Sequence, residues 1–260
     1  MKRHAHSFFF AAHGTTPLHR TIRHGLAFVL ACLGLCLPPA LLSAAVVAEA
    51  GAPAKSAACR IMPVGDSITE GGSSFANWRQ QLLEKLRAAG YRVEYVGTKT
   101  SPSPLGPLAH EGYGGKNAEF LAKTVGKNFQ KCPADIVLLH CGHNHDVKEK
   151  PVPGIVAAAT KLITDFRATN PQVTVLLAQV ITSGKLPKYS YISDLNKELA
   201  QLAARLDKPG QRVIIVNQTE VFNPATDTVA DKVHPNAQGA KKMADQWFAA
   251  LEKVLAKESK

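Results

Sequence analysis

The stretch PVGDSITEGG, residues 63–72, follows a short apolar run and precedes an amphipathic segment. A plain turn needs one glycine or one helix-capping residue, but this stretch combines Asp66 and Ser67 with three glycines. That combination, at a point where a strand ends and a helix begins, indicates a functional turn. A serine hydroxyl becomes a good nucleophile only when a base takes its proton and a third group orients that base. The rest of the chain therefore has to supply these two groups.

Apolar runs alternate with helical patterns along the remaining chain. Strands are predicted at residues 60–66, 91–98, 135–142, 173–181 and 212–218, and helices at residues 77–90, 154–170, 193–207 and 236–256. Strands that alternate with helices in this way form a parallel sheet with helices on both faces. The sequence therefore predicts an α/β fold with a five-stranded parallel sheet, built by a single domain over residues 51–260.

Three polar clusters fall at the positions where such a fold places its functional groups. Ser67 follows the first strand, CGHNHD (141–146) follows the third, and DKVHPN (231–236) lies before the last helix. Functional groups of parallel sheets gather at the carboxyl ends of the strands. The spacing of Asp231 and His234 can bring both side chains to one side of a tight turn, where the carboxylate would orient the imidazole. Alone, this DxxHP pattern is equally consistent with a capped helix start.

Together these blocks resemble the SGNH, or GDSL-type, hydrolases. The resemblance rests on GDSITEGG, on a Gly-x-Asn turn after the third strand and on DxxH near the end, and it covers residues 60–247. It implies a flavodoxin-like three-layer α/β/α sandwich and a serine esterase or lipase. It also implies that Ser67 is the nucleophile, His234 the base and Asp231 the orienting acid. The G-x-S-x-G elbow of the α/β-hydrolases is absent around Ser67.

The resemblance implies an oxyanion hole made by the Ser67 amide, a glycine amide and the Asn144 side chain. The glycine belongs to HEGYGGKN, residues 110–117. The family pattern of a small residue and then a glycine before a helix start matches Gly115, with Gly114 and Gly112 as alternatives. Glycine suits this role because it allows the substrate a close approach to the backbone amide.

The third block departs from the family pattern, which usually reads Gly-x-Asn-Asp. This chain has His143 before Asn144 and His145 after it, so the role of the missing aspartate falls to His145 or Asp146. We interpret Asp66, His143 and His145 as candidate substrate-binding residues. The histidines around the third strand lack a familiar ligand spacing. No metal and no other cofactor is therefore predicted.

Residues 1–50 have the features of a secretory signal peptide. They combine a basic start, an apolar middle and an Ala-x-Ala end at residues 48–50. An uncleaved membrane anchor is the main alternative, and a lipoprotein signal ending before Cys32 is a third. Loss of this segment, which carries four basic residues and one acidic residue, lowers the formal net charge from +11 to +8. We predict a cleaved signal and a secreted or periplasmic protein.

The part of the chain after residue 50 retains three cysteines. In the flavodoxin-like strand order 2-1-3-4-5, Cys59 and Cys132 would precede neighbouring strands at the same edge of the sheet. An exported protein meets an oxidising environment. We therefore predict a Cys59–Cys132 disulfide and a free Cys141, with three buried thiols as the alternative.

The first motif, RIMPVGDSITEGG, most resembles acetylxylan-esterase-type carbohydrate esterases. The predicted function is therefore an exported serine esterase that deacetylates a glycan through an acyl-enzyme. A lysophospholipase or thioesterase of the same family, and a catalytically silent glycan-binding module, are the alternatives. The predicted partner is a small-molecule or polysaccharide ester, and the positive charge suits an anionic polysaccharide or a membrane surface. We predict a monomer with no nucleic-acid partner and no stable membrane insertion.

Overall fold

A seven-stranded sheet forms the centre of residues 57–255, the part of the chain that the computed structural model describes. In chain order its strands are β1 (Cys59–Gly65), β2 (Val93–Tyr95), β3 (Lys99–Ser101), β4 (Leu108–Gly112), β5 (Ile136–His140), β6 (Thr174–Gln179) and β7 (Val213–Asn217). The described residues belong to one compact unit that spans Pro53–Lys260. The predicted signal peptide, residues 1–50, lies outside them. Within residues 57–255, no helix is long and apolar enough to cross a bilayer.

The five predicted strands are β1, β2, β5, β6 and β7, and they pair in parallel in the predicted order. The predicted strand count is wrong, because β3 and β4 complete the sheet and β3 runs antiparallel to β4. The first half of β1 pairs with β2, whereas Val64 and Gly65 pair with β4. Two strands thus share one edge of β1. These added strands are short and partly polar, so they lack the apolar run by which the other strands are predicted.

Seven α-helices complete the described fold: α1 (Ser67–Glu70), α2 (Trp78–Ala88), α3 (Ala118–Lys131), α4 (Val152–Thr169), α5 (Ile192–Leu206), α6 (Pro224–Asp227) and α7 (Ala237–Leu251). The four predicted helices are α2, α4, α5 and α7. The sequence prediction omitted α3 and the two one-turn helices. Asparagine side chains cap α2, α3 and α7 by accepting a backbone N–H of the first turn. This is the position at which asparagine stabilises a helix most.

Two hydrophobic cores lie on the two faces of the sheet. Helices α3, α4 and α5 cover one face, where the rings of Phe129 and Phe166 have centroids 4.8 Å apart. Helices α2 and α7 cover the other, where the rings of Trp78 and Trp247 have centroids 5.6 Å apart. Alternate residues of β1 point into opposite cores, as the pleat requires. The predicted three-layer α/β/α sandwich is therefore confirmed.

The structure corrects the predicted Cys59–Cys132 disulfide, because Cys59, Cys132 and Cys141 are all free thiols in it. Cys59 packs against the core beneath α2 and α7, whereas Cys132 packs against the core beneath α3. The two thiols thus lie on opposite faces of the sheet. The Cys132 sulfur instead accepts a hydrogen bond from the Arg60 guanidinium at 3.6 Å.

Candidate active site

Three side chains from opposite ends of the chain form a continuous hydrogen-bonded series. The Ser67 Oγ lies 2.7 Å from His234 Nε2. His234 Nδ1 lies 2.6 Å from Asp231 Oδ2, and it donates its proton to that carboxylate when Nε2 accepts from the serine. This arrangement gives Ser67 a base at hydrogen-bonding distance and gives the base an orienting carboxylate, as proton transfer from a serine requires. The structure thus brings together the three residues predicted to form the catalytic set.

The β1–α1 junction presents Ser67 at the first position of a helix. Asp66 is the N-cap of α1, and its side chain accepts a hydrogen bond from Ile68 N at 2.9 Å. The Ser67 amide has no acceptor within the helix, as for every first-turn amide. A side chain at Gly65 would overlap the Thr69 hydroxyl and the His140 carbonyl oxygen. The glycine therefore allows the strand to turn closely into the helix.

The buried guanidinium of Arg79 fixes the other end of this junction. It donates to the carbonyl oxygens of Thr69 at 2.6 Å, Glu70 at 2.8 Å and Leu108 at 3.2 Å. Burial lowers the Arg79 pKa to about 10, so the group remains charged at neutral pH. Arg79 thereby ties α1 to β4 through a side chain of α2. Nothing in the sequence pattern of α2 distinguishes this arginine from a solvent-exposed one.

The loop before α7 holds His234 in place. Asp231 Oδ1 accepts backbone hydrogen bonds from Val233 at 2.8 Å and from His234 at 3.0 Å. Burial raises the pKa of Asp231, but the hydrogen bonds from His234 and Val233 outweigh burial and hold that pKa below its ordinary value. The Phe75 ring stacks on the imidazole with centroids 4.2 Å apart. Phe75 is a site residue that the sequence analysis missed, because an aromatic residue in a polar loop carries no signal of its partner.

The hydrogen bonds of HEGYGGKN distinguish the three candidate glycines. The Gly112 amide donates to His110 Nδ1 at 2.9 Å, and the Gly114 amide donates to Glu70 Oε2 at 2.6 Å. Among the described residues, the Gly115 amide has no hydrogen-bond acceptor, and its φ of +70° is a backbone conformation that favours glycine. Gly115 is therefore the glycine in this loop whose amide is available to a substrate oxygen.

Contacts of Glu70 and Lys99 join this loop to α1, the helix that begins at Ser67. The Glu70 carboxylate contacts Lys99 Nζ as well as the Gly114 amide, and Lys99 also donates to the Gly112 carbonyl oxygen at 2.7 Å. A side chain at Gly114 would lie 3.9 Å from the Ser67 Cβ, so the loop passes close to the nucleophile. Glu70 stands in the opening motif, but no sequence pattern identifies Lys99 as its partner.

Asn144 lies beside the same loop. Its side-chain amide donates to the Lys116 carbonyl oxygen at 2.9 Å, and its φ of +67° lies in the left-handed region, which asparagine tolerates better than most residues. The structure thus brings Asn144 and the Gly115 turn together. It leaves the second N–H of the Asn144 amide without a partner among the described hydrogen bonds.

The three candidate substrate-binding residues are buried in the structure. Asp66, His143 and His145 are 1%, 2% and 6% exposed. Burial raises the Asp66 pKa to about 6, and burial holds the pKa of His143 well below its ordinary value. His143 Nδ1 lies 3.9 Å from Asp66 Oδ2, which is too long for a direct hydrogen bond. Their prediction as substrate contacts is therefore corrected, because all three side chains are buried.

His145 occupies the position of the family aspartate and lies between two glutamates. Its Nδ1 is 2.9 Å from Glu149 Oε2, and its Nε2 is 2.9 Å from Glu119 Oε2. The contact with His145 lowers the pKa of Glu149. Glu119 is in the first turn of α3, so His145 connects the Asn144 loop to the helix that follows the Gly115 turn. Within residues 57–255, no group of three His, Cys, Asp or Glu side chains is arranged to hold a metal ion.

Two clefts include residues close to His234: Phe75, whose ring stacks on the imidazole, lines one, and Lys232 lines the other. One, of about 470 Å³, is lined by Glu70, Phe75 and neighbouring residues, mostly of the stretch 71–77. The other, of about 520 Å³, is lined by Lys232 and by residues of α6 and the loop after it. Both open to solvent and both include polar side chains.

Comparison with known proteins identifies the sequence family of this chain. A model of the GDSL-like lipase/acylhydrolase family matches residues 64–242, more than half of the chain. A multidomain esterase of Ruminococcus flavefaciens is 28% identical over 230 residues. That alignment covers 75% of this chain but only 29% of the esterase, so the chain spans less than a third of this relative.

Solved structures with the same fold include several esterases. A mutant acetyl esterase with an acetate ion has a TM-score of 0.67 at 23% identity, over 75% of this chain and 97% of that one. A carbohydrate esterase of family 3 from Talaromyces cellulolyticus has a TM-score of 0.67 at 24% identity, with the same coverage of both chains. A family 3 carbohydrate esterase of Clostridium thermocellum has a TM-score of 0.64 at 26% identity, over 76% of this chain and 100% of that one.

The fold, the hydrogen-bonded series at Ser67 and the family match agree with one another. The chain therefore belongs to the GDSL-like lipase/acylhydrolase family of carboxylic-ester hydrolases.

Proposed function

We propose that this protein removes acetyl groups from a glycan, with Ser67 as the nucleophile, His234 as the general base and Asp231 as the orienting acid. The observation that carries the proposal is the 2.7 Å approach of Ser67 Oγ to His234 Nε2, with Asp231 on the opposite ring nitrogen. The Ser67 amide, the Gly115 amide and the Asn144 side chain would form the oxyanion hole. Of the candidate glycines, Gly115 is supported by its unoccupied amide.

The proposed reaction has two steps, acetylation of Ser67 and hydrolysis of the acetyl-serine. In the first, His234 takes the Ser67 proton while the oxygen attacks the ester carbonyl carbon, and the oxyanion donors hold the negative oxygen. Collapse of this intermediate breaks the bond to the sugar oxygen, which leaves with the proton from His234. In the second, His234 takes a proton from water, the hydroxide attacks the acetyl-serine, and acetate leaves as Ser67 regains its proton.

The glycan substrate is supported by two observations. The structural neighbours of 0.64 to 0.67 TM-score include two carbohydrate esterases of family 3. Among the described residues, the exposed large hydrophobic side chains are Leu186 and Val221, so no broad apolar surface is available to a long acyl chain. Lysophospholipase or thioesterase activity remains the alternative reaction, and a silent glycan-binding module remains the alternative without chemistry.

A comparison of ester substrates tests the proposal. We expect turnover of p-nitrophenyl acetate to exceed that of the octanoate ester at least tenfold, and acetate release from acetylated xylan, pectin or an O-acetylated sialic acid. Ser67→Ala should abolish both activities without changing the unfolding midpoint. Retention of a tenth of the wild-type rate would contradict the role of Ser67, and a preference for the longer ester would favour the lipase alternative.

We also propose that the protein is exported, as a monomer that acts in the periplasm or outside the cell. The proposal rests on the signal-peptide pattern of residues 1–50. Expression of the full chain, followed by cell fractionation and N-terminal sequencing, tests it. A product that stays in the cytoplasm with residues 1–50 intact would contradict export.

A further inference from the structure

Four lysines form a row that begins beside the candidate oxyanion loop. Lys116 follows Gly115 directly, and Lys123, Lys127 and Lys131 follow at one-turn intervals along α3. All four are exposed. Residues four apart lie on the same side of a helix, and a rise of about 1.5 Å per residue spreads the three helical lysines over about 12 Å. We call these four residues the lysine row.

The lysine row differs from the other helical lysines in its lack of carboxylate partners. Elsewhere in the described α-helices, each lysine lies 2.7 to 2.9 Å from an aspartate oxygen; these lysines are Lys85, Lys161, Lys197, Lys241 and Lys242. No ion pair involves a member of the lysine row within residues 57–255. Like charges four residues apart destabilise a helix. The row therefore carries a stability cost that the paired lysines avoid.

Two carboxylates on or against α3 are already engaged by other side chains. Glu119, in the first turn of α3, contacts His145, and Asp165, which lies against Gly126 of α3, binds Lys161. The positive charge of the row is therefore not neutralised by the protein itself. A ligand with a series of negative charges would supply the missing partners.

The end of the row at the active site also has an aromatic surface. Lys116 Nζ lies 5.2 Å from the centroid of the Phe120 ring, which packs edge-on against Tyr113 with centroids 5.5 Å apart. The Lys116 carbonyl oxygen accepts the Asn144 amide. Aromatic faces and cations side by side provide apolar contact and charge together. A sugar ring that carries a carboxylate has both complementary features.

We propose that the lysine row binds an acidic glycan, a polymer with uronic-acid carboxylates, and leads its acetylated residue to Ser67. This inference rests on the proposed esterase function and names its substrate class. An anionic membrane is a poorer fit, because surface binding of a helix to lipid requires an apolar face. The two exposed large hydrophobic residues in the described part of the chain, Leu186 and Val221, do not belong to α3.

The test compares two variants of equal charge. The row variant is Lys123→Gln, Lys127→Gln and Lys131→Gln together, and the control variant is Lys161→Gln, Lys197→Gln and Lys241→Gln. The readout is kcat/KM for acetylated polygalacturonate divided by kcat/KM for p-nitrophenyl acetate, measured at 20 and 200 mM NaCl. We expect this ratio to fall at least tenfold in the row variant at low salt and less than twofold in the control. The salt dependence should weaken in the row variant alone.

Equal ratios in the two variants would overturn the inference, as would a wild-type enzyme that prefers neutral acetylated xylan. Row-dependent binding to phosphatidylserine vesicles or to duplex DNA, with an unchanged ratio, would also overturn it and assign the row to that partner. Unfolding midpoints verify that both variants are folded. Failure of the proposed function itself is distinguishable, because the wild type would then release no acetate from any acetylated glycan, neutral or acidic, or would prefer the octanoate ester to the acetate ester.

Discussion

The Asn144 side chain combines a structural hydrogen bond with a donor that is available to a substrate. A carboxamide has two N–H donors, and the structure uses one of them to hold the Lys116 carbonyl oxygen at 2.9 Å. The second is free to donate to the oxygen of a tetrahedral intermediate. The same residue can therefore fix its own position and stabilise the developing charge.

We expect Asn144→Ala to lower kcat roughly a hundredfold or more and to change KM little. This is the usual effect of removing one oxyanion donor, because the donor contributes mainly in the transition state. Steady-state kinetics with p-nitrophenyl acetate measures both constants. Asn144→Asp, which keeps the size but removes the donors, should lose as much. A loss confined to KM would contradict an oxyanion role.

His145 is expected to act through Asn144. Both of its ring nitrogens contact carboxylates at 2.9 Å, so the ring anchors the asparagine loop to α3. His145→Gln should lower kcat about tenfold in the wild type but less than twofold when Asn144 is already alanine, because coupled residues do not contribute additively. Glu149→Gln tests the same contact from the exposed side. Full additivity of His145→Gln and Asn144→Ala would contradict the coupling.

Asp66 gives a pH-dependent prediction. Its folded pKa of about 6 is above the ordinary 3.8, so between these values the folded state binds more protons than the unfolded state. Stability from this group is complete below pH 3.8 and is lost as pH rises to about 6. Asp66→Asn removes this loss. Relative to wild type, its free energy of unfolding should increase between pH 4 and 6.5, by at most about 3 kcal/mol. Urea unfolding at these pH values measures it, and a constant difference would contradict the buried carboxylate.

The sequence motifs identified the candidate catalytic residues better than the residues that support them. Ser67, His234 and Asp231 stand in motifs whose spacing the chemistry constrains, and the structure brings them together. Asn144 lies beside the Gly115 loop, as its motif predicts. The supporting contacts join residues far apart in sequence, as His145 does with Glu119, and no local pattern encodes such a pairing. The same limit explains the burial of the residues that were expected to contact substrate.

At the scale of secondary-structure elements, the β1–α1 junction depends on a side chain from α2. Arg79 donates to two carbonyl oxygens at the end of α1 and one in β4, and the Glu70 oxygen also accepts from the Ser101 hydroxyl at 3.0 Å. Helix ends that are buried need such partners, because an unsatisfied buried carbonyl loses its hydrogen bond to water. The geometry of Ser67 therefore depends on the docking of α2.

We expect Arg79→Met to destabilise the fold by about 3 kcal/mol or more. Hydrogen bonds to a charged group contribute about 1.5–3 kcal/mol each, and their loss leaves buried acceptors unpaired. Urea unfolding monitored by tryptophan fluorescence measures the change, since Trp78 begins the same helix. Arg87→Met, at the exposed end of α2, is the matched control and should change stability by less than about 0.5 kcal/mol. Equal effects would show that the three carbonyl contacts contribute nothing.

The elements with strong hydrophobic periodicity were predictable, and the short ones were not. Helices α4, α5 and α7 and the five parallel strands follow from apolar patterns that a buried face requires. The strands β3 and β4 have five residues or fewer each. Their pairing is determined by the edge of β1 and not by their own composition. Helix α3 has buried positions at helical spacing, so its omission reflects the polar turn before it and not an absent signal.

At the scale of the whole molecule, the candidate catalytic set is complete without a bound ion. Ser67 lies at hydrogen-bonding distance from His234, and His234 from Asp231; in the proposed mechanism the Gly115 amide and the Asn144 carboxamide would supply the oxyanion donors. We expect overnight dialysis against 5 mM EDTA to leave the rate of p-nitrophenyl acetate hydrolysis within twofold of the untreated enzyme. Dialysis without chelator is the control. Loss of activity that Zn²⁺ or Mg²⁺ restores would contradict a metal-independent reaction.

Ser67 and His234 are separated by 167 positions in the chain. During synthesis the nucleophile therefore emerges early and waits for almost the entire sequence before its base exists. A chain that ends before residue 231 lacks the proposed base and its carboxylate, so we expect it to hydrolyse no ester. Ester cleavage would thus report that the last segment has docked, and in a series of released chains of increasing length we expect activity only in those that extend beyond His234.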